Sequence, residues 1–263
     1  MAIAAFGRRR ALPAWAACVL SALALCPPAH ATSLQISPVR IDLPAGPGAA
    51  AITLRNASGA PIHAQVRVFR WTQADGADVL TPTDDAVASP PILRIAGNAE
   101  QMVRVVRPLD PVLRNDASTS AVPPTETAYR LLIDELPQRE AQVDQSGVRV
   151  QLRYSVPVFA GTPADAPLRL KLTMWRDQDE WKLAVRNDGA RHARISGVAV
   201  INGPQRVTVT EGLLGYALPG ATRIWKIHMP AGFAPTGSVR IEGDINGEPR
   251  TLPVGQGKPV AGS

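Results

Sequence analysis

The sequence predicts an all-β protein built from two β-sandwich domains in tandem. Three observations carry this. No stretch of the 263 residues keeps a helical period; short runs with apolar residues at every second position recur instead, as in half-buried strands. Turn formers stand between the runs, drawn from 25 prolines and 21 glycines. Past the middle, "AGTPADAP" (160–167) interrupts the series with small residues and proline, as a short interdomain linker does.

Ahead of that linker the runs are "SLQISPVRIDL" (33–43), "AAITLRN" (50–56), "HAQVRVFRW" (63–71), "PILRI" (91–95), "EQMVRVVRP" (100–108), "AYRLLIDEL" (128–136) and "GVRVQLRYSVPVFAG" (147–161). The gaps "AGPG" (45–48), "NASGAP" (56–61) and "ADGAD" (74–78) read as turns, and 110–126 is the longest unpatterned loop. Seven strands over this span match an immunoglobulin-like sandwich. The last run is long for a strand, and Pro157 near its end cannot donate to a ladder, which suits a sheet edge. A long apolar edge is ordinarily an aggregation hazard, so this one calls for an explanation.

Beyond the linker a second set follows: "LRLKLTMW" (168–175), "WKLAVRN" (181–187), "RISGVAVI" (194–201), "RVTVT" (206–210), "TRIWKIHM" (222–229), "SVRIEGDI" (238–245) and "RTLPV" (250–254), with "ING" (245–247) as a hairpin turn. The expected organisation is a removed leader over 1–31, a first domain over 32–158, a linker over 159–167 and a second domain over 168–263. No internal repeat is visible beyond the shared class.

The leader is read from Arg8-Arg9-Arg10, an apolar stretch to Cys26, and small residues at Ala29 and Ala31 before the cleavage point. The apolar stretch is short of the ~20 residues a bilayer requires and is broken by Pro13, Pro27 and Pro28, so a membrane span is the poorer reading. A lipoprotein signal fits badly because Leu25 is bulky, and no twin-arginine motif follows the triple arginine. Both cysteines, Cys18 and Cys26, lie inside the leader, so the mature chain has no disulfide and depends on packed cores. Without the three leader arginines the net charge falls from +6 to about +3, too little to argue for nucleic acid.

Catalytic signatures are missing. His63, His192 and His228 stand far apart without metal-ligand spacing, and no serine sits in a G-x-S-x-G elbow. "GPGAAA" (46–51) precedes a strand rather than a helix, so it reads as a turn and not a phosphate loop. Asp84-Asp85 and Asp134-Glu135 read as surface acids. "NAS" (56–58) fits a glycosylation acceptor but sits in a turn.

Several segments resemble one family. "SPPILRIAGNAEQMVRVVRP" (89–108), "AYRLLIDELP" (128–137) and "VRVQLRYSVPVFAG" (148–161) resemble the first domain of PapD-like periplasmic pilus-assembly chaperones. "VRNDGARHARISGV" (185–198) and "LLGYALPGATRIWKI" (213–227) resemble the second domain, particularly of the archaic, Csu-type branch. The likeness spans essentially the whole chain after the leader. It implies two immunoglobulin-like domains with a cleft between them, a periplasmic location, no enzymatic activity, and no cofactor or metal. The implied partners are pilus or fimbrial subunits and an outer-membrane usher, without nucleic acid or membrane insertion.

The resemblance also implies a use for the long edge. Subunits of such pili lack their last strand, and the chaperone lends its own; strand addition is a recognised binding mode, chaperone–pilin pairs among its examples. The donor residues are then Val148, Val150 and Leu152, each worth ~1.5–3 kcal/mol when buried. Alternation alone does not separate this from packing inside the first domain. The family further anchors the subunit's C-terminal carboxylate with an arginine on the first strand, matched here by Arg40, and a lysine late on the donor strand. Pro157 occupies the lysine position, so the second cation is sought at Arg153 first, then Arg104 or Arg130; an arginine fork suits a carboxylate. The rival readings are a secreted structural protein such as a pilus component, and an enzyme or metal carrier on the same fold.

Overall fold

The computed structural model describes residues 34–45, 47–108, 125–137, 151–162 and 166–258. The described residues form seventeen strands and no helix. A four-stranded sheet has the order β1 (Leu34–Ser37), β3 (Gly48–Asn56), β8 (Glu100–Arg107), β6 (Val87–Ser89). A second sheet has the order β2 (Ile41–Leu43), β10 (Arg153–Ala160), β9 (Thr127–Leu136), β4 (Ile62–Ala74), β5 (Ala77–Pro82), with β7 (Ile92–Ile95) also on β4. The chain crosses from the first sheet to the second between β1 and β2.

Alternation decides what these sheets bury. Ile52, Leu54, Val103 and Val105 of the first sheet meet Val66, Leu131, Ile133, Val156 and Val158 of the second, forming one closed core. The remaining strands make one seven-stranded sheet, in the order β14 (Gln205–Ala217), β13 (Ala193–Asn202), β16 (Val239–Ile245), β17 (Glu248–Gln256), β11 (Leu170–Asp177), β12 (Glu180–Asn187), β15 (Thr222–Ile227). Its apolar face encloses a second core around Met174, Leu183, Val198, Val200 and Ile241. β17 changes partner along its length: residues 248–254 pair with β16, whereas 254–256 run parallel to β11.

Two of the hairpin turns are chemically legible. Asp75-Gly76 joins β4 to β5, and Asn246-Gly247 joins β16 to β17, all four residues at positive φ as the type I′ turn demands. The turn at 245–247 matches the sequence reading. Residues 77–82 and 87–89 form strands where that reading saw none, and β14 extends through Ala217 rather than ending at 210. β10 runs to Ala160, into the stretch read as linker.

The supposed glycosylation acceptor is structural. The Asn56 side chain is fully buried: its Nδ2 donates to the carbonyls of Ala60, Ile95 and Ala96, and its Oδ1 accepts from the Ser58 N–H and hydroxyl. Asn187 repeats the device in the second sheet system. It ends β12 as Asn56 ends β3, donates to the Arg191 and Ala217 carbonyls, and accepts from the Gly189 N–H. The "RN" before each turn is an internal correspondence that the sequence reading passed over.

The two sheet systems are docked, not merely linked. Trp71, Ala128 and Phe159 of the first pack on Tyr216 and Leu218 of the second. The β4–β5 turn reaches β15, where the Gly76 carbonyl accepts from the Ile224 N–H at 3.0 Å and from the Arg223 guanidinium. Gln73 donates to the Tyr216 carbonyl and accepts from the Leu218 N–H. At the other side of the junction the Glu126 carboxylate is fully buried, accepting from the His192 N–H at 3.0 Å, from His192 Nδ1 at 2.8 Å, and from the Thr162 hydroxyl at 2.5 Å. The His192 ring lies flat on Phe159, centroids 3.5 Å apart.

Candidate functional site

The site begins as an unfilled place in a sheet. β10 pairs with β9 along its whole described length, Arg153↔Asp134 to Ala160↔Thr127, but with β2 only over Val158–Ala160. The lane beside residues 153–157 therefore has no described strand in it. Its length at ~3.3 Å per residue is about 16 Å.

Hydrogen-bond parity says which groups face the lane. Leu152 accepts from the Glu135 N–H, so even-numbered residues bond toward β9; Gly161 donates to Leu43, so odd-numbered residues bond toward β2. In a ladder without a register shift this alternation persists. Arg153 and Ser155 thus aim both backbone N–H and C=O at the lane. Pro157 is the next odd residue and has no N–H to offer.

Side chains alternate in the same way. Tyr154, Val156 and Val158 face the core, and Leu152 continues that row to the mouth of the sandwich, where it is 38% exposed. Val148 and Val150, the other expected donor residues, lie outside the described residues. The opposite face carries Arg153, Ser155, Pro157 and Phe159 toward the cleft and the junction.

Of the anchor candidates, two are brought together. Ile41 is level with Val158, so Arg40 stands level with Pro157 at the head of the lane. Its guanidinium bonds Asp42, on the same face. On the other side, Arg130 of β9 is the direct partner of Pro157. Arg40, Pro157 and Arg130 form one row across three strands, the outer two about 10 Å apart at strand spacing.

Arg130 is held by aromatic faces rather than by acids. Its guanidinium lies 3.6 Å over Trp71 and 5.6 Å from the Tyr216 ring, a cation–π arrangement that fixes the side chain without consuming its N–H donors. No hydrogen-bond acceptor or carboxylate pairs with it among the described residues. Burial pulls its pKa below the ordinary arginine value, partly offset by Asp78 and Tyr216. A half-buried guanidinium whose donors no described acceptor engages has the chemistry to receive an anion.

Arg153 and Arg104 are placed otherwise. Arg153 is bonded to Asp134, which Arg67 also grips at 2.7 Å. Burial pushes the Asp134 carboxyl up, but the hydrogen bonds and charges of Arg153 and Arg67 outweigh it and hold the group below the usual carboxylate range. Arg104 lies on β8 of the four-stranded sheet, exposed, beside Ala51 and Ser89. The sequence reading missed Trp71 and Tyr216, the two rings beside Arg130; only the scarcity of aromatics, 5% of the chain, marked them. No cluster of metal-ligating residues occurs among the described residues.

Residues 33–164 match the family of pili and flagellar-assembly chaperones at its PapD N-terminal domain. No curated protein matches by sequence. Among solved structures, the chain is similar to a chaperone–tip adhesion subunit pre-assembly complex, CsuC–CsuE, of the archaic Csu pili of Acinetobacter baumannii. That match has TM-score 0.62 and 22% identity, over 86% of this chain and 100% of that one. It is also similar to the Salmonella enterica SafA pilin–SafB chaperone complex (TM-score 0.56, 18% identity, 85% of this chain, 97% of that chain) and to the E. coli chaperone DraB (TM-score 0.54, 17% identity, 85% and 97%). These likenesses give the fold, two immunoglobulin-like domains in tandem, and the family is one of chaperones rather than enzymes. The family match covers half of the chain, and with it the open strand edge and the arginine row: this chain belongs to the PapD-type pilus-assembly chaperones.

Proposed function

We propose that the chain is a periplasmic chaperone, exported by a leader cleaved after Ala31, that captures pilus or fimbrial subunits by lending them β10 and its upstream residues and delivers them to an outer-membrane usher. The domains would span 32–158 and 168–263, with the linker between. The observation that carries the reading is the half-open lane of β10 headed by two arginines. CsuC and SafB, similar in fold, are each seen bound to a subunit, which supports it.

The lane dictates how a guest strand would lie. β2 is parallel to β10 and fills only the far end of the lane. A guest running parallel would point its C-terminus at Arg40 and Arg130, whereas an antiparallel guest would press its N-terminal ammonium against the same two cations. Electrostatics therefore selects the parallel guest with its carboxylate at the arginine row. Val148, Val150 and Leu152 would fill the guest's vacant groove from the adjoining part of the strand. Arg130 is the second cation in this reading: Arg153 is spent on Asp134 and Arg104 belongs to the other sheet.

The test is subunit capture with purified mature protein. Val150→Arg should fold normally yet lose capture, and a variant that unfolds without any subunit present would assign Val150 to the core instead. Arg40→Ala should abolish stable complexes with little change in Tm. In double-mutant cycles Arg40 should couple with Arg130 and not with Arg153 or Arg104; additive effects in all three cycles would remove the two-cation anchor.

A further inference from the structure

We propose that Pro157 makes the lane a reader of chain ends: by withholding one ladder donor at the head of the lane, it leaves the guest's last carbonyl group to the arginines and so selects a free C-terminal carboxylate at a single register. This rests on the strand-lending reading above.

The argument is geometric. In the parallel pairing that β10 already makes, each lane-facing N–H donates to the carbonyl one residue before its partner, as Gly161 does to Leu43. Continued down the lane, Ser155 and Arg153 would each donate to a guest carbonyl and accept from a guest N–H. The next donor up the lane would be residue 157. Any guest carbonyl there meets a proline nitrogen, flanked on one side by Arg40 and on the other by Arg130.

An internal peptide carbonyl in that position is doubly disfavoured. It is uncharged, so it gains little from the two guanidinium groups, and it loses the backbone bond that an ordinary strand would provide. Its chain would also have to continue into the place where residues 39 and 40 enter β2. A terminal carboxylate loses nothing: its two oxygens take charge-assisted bonds from the arginines in place of the missing donor. Slippage by two residues in either direction would put an amide carbonyl, or no group at all, at the arginine row. The proline thus converts a sequence-tolerant ladder into one that measures where the guest stops.

The experiment uses the whole mature protein and one synthetic peptide of alternating valine and threonine in three forms: free carboxylate, C-terminal amide, and extended by Gly-Ser. Affinities are measured for the wild type, Pro157→Ala and Ser155→Pro, with Tm as a folding control. The wild type should prefer the free acid by about tenfold or more, the scale of a hydrogen bond to a charged group. Pro157→Ala, which restores the donor, should improve binding of the extended peptide by roughly three- to tenfold, the worth of one ladder bond, and leave the free acid nearly unchanged. Ser155→Pro removes a donor used by all three forms and should weaken all three alike. If the wild type binds no form, the strand-lending reading fails and this inference with it. If the wild type prefers the free acid but Pro157→Ala keeps the full discrimination, the arginines alone read the end and the role of Pro157 is refuted.

Discussion

Among the described residues the Glu126 carboxylate is the fully buried acid at the junction, and removing it should uncouple the domains. Glu126→Ala deletes the acceptor of the His192 N–H, His192 Nδ1 and the Thr162 hydroxyl in one step. With 0% of its side chain exposed and 7% of that of His192, water cannot replace it without opening the interface. Leaving a buried hydrogen-bonding group unsatisfied costs about 1–3 kcal/mol, so with three donors stranded we expect about 4 kcal/mol here. Glu126→Gln keeps the shape and one acceptor oxygen, so its cost should be about 1–2 kcal/mol. For a protein of this size 4 kcal/mol corresponds to a fall in Tm of roughly 10 °C. Calorimetry of the mature protein should show a single transition in the wild type, and in Glu126→Ala a transition that moves down and splits as the domains melt separately. A Glu126→Ala protein with an unsplit transition and a loss below about 1 kcal/mol would refute the reasoning, because the three bonds would then carry no weight.

Other positions give narrower tests. Asn56→Ala removes three donated bonds inside the first core and should cost about 3 kcal/mol in urea unfolding, with Ser58→Ala losing under about 1 kcal/mol. The Asp134 carboxyl is held below its ordinary value, so its contribution is present above the unfolded pKa of about 4 and lost as pH falls through the depressed folded value. Asp134→Asn should therefore be destabilised at neutral pH, with the gap to the wild type closing only below about pH 4, as followed by unfolding at each pH. Gly76→Val would set a Cβ 2.5 Å from Ile224 Cδ1 at a φ of +76°, so it should lower Tm and loosen the β4–β5 turn from β15, visible as faster amide exchange at Ile224.

Much of this architecture is written in local pattern. Alternation found the strands that bury one face on a core, because Ile52, Val103, Leu131 and Val156 each answer to a period of two. It missed β5, where every residue is exposed, since a strand with no buried face leaves no apolar rhythm to read. The proposed anchor shows the same division. Arg40 was singled out by its place in a motif, and Pro157 as a departure from one. The role proposed for Arg130 rests on its standing opposite Pro157 on β9, and pairing across strands is a property of the fold, not of spacing along the chain. Arg153, favoured for sharing a face with Pro157, meets Asp134 on the neighbouring strand. The junction was least legible: Trp71, Phe159, His192 and Tyr216 are scattered over some 145 positions, and nothing local links them.

The partner change along β17 has a consequence for stoichiometry. β17 resembles β10 in its sheet, antiparallel to β16 over residues 248–254 and parallel to β11 only over 254–256, so residues 248–253 have no described ladder partner on the β11 side. Here the Gly257 N–H donates to Met174, which places the odd-numbered residues on that side. Those residues are Pro249, Thr251 and Pro253. Two of three carry no N–H, so a guest strand would find a single donor where β10 offers two in succession. The two corresponding edges of the molecule are thus unequal, one able to template a strand and one proofed against it. On the strand-lending reading proposed above, one copy would hold one guest through β10, and β17 would offer a second guest few ladder donors.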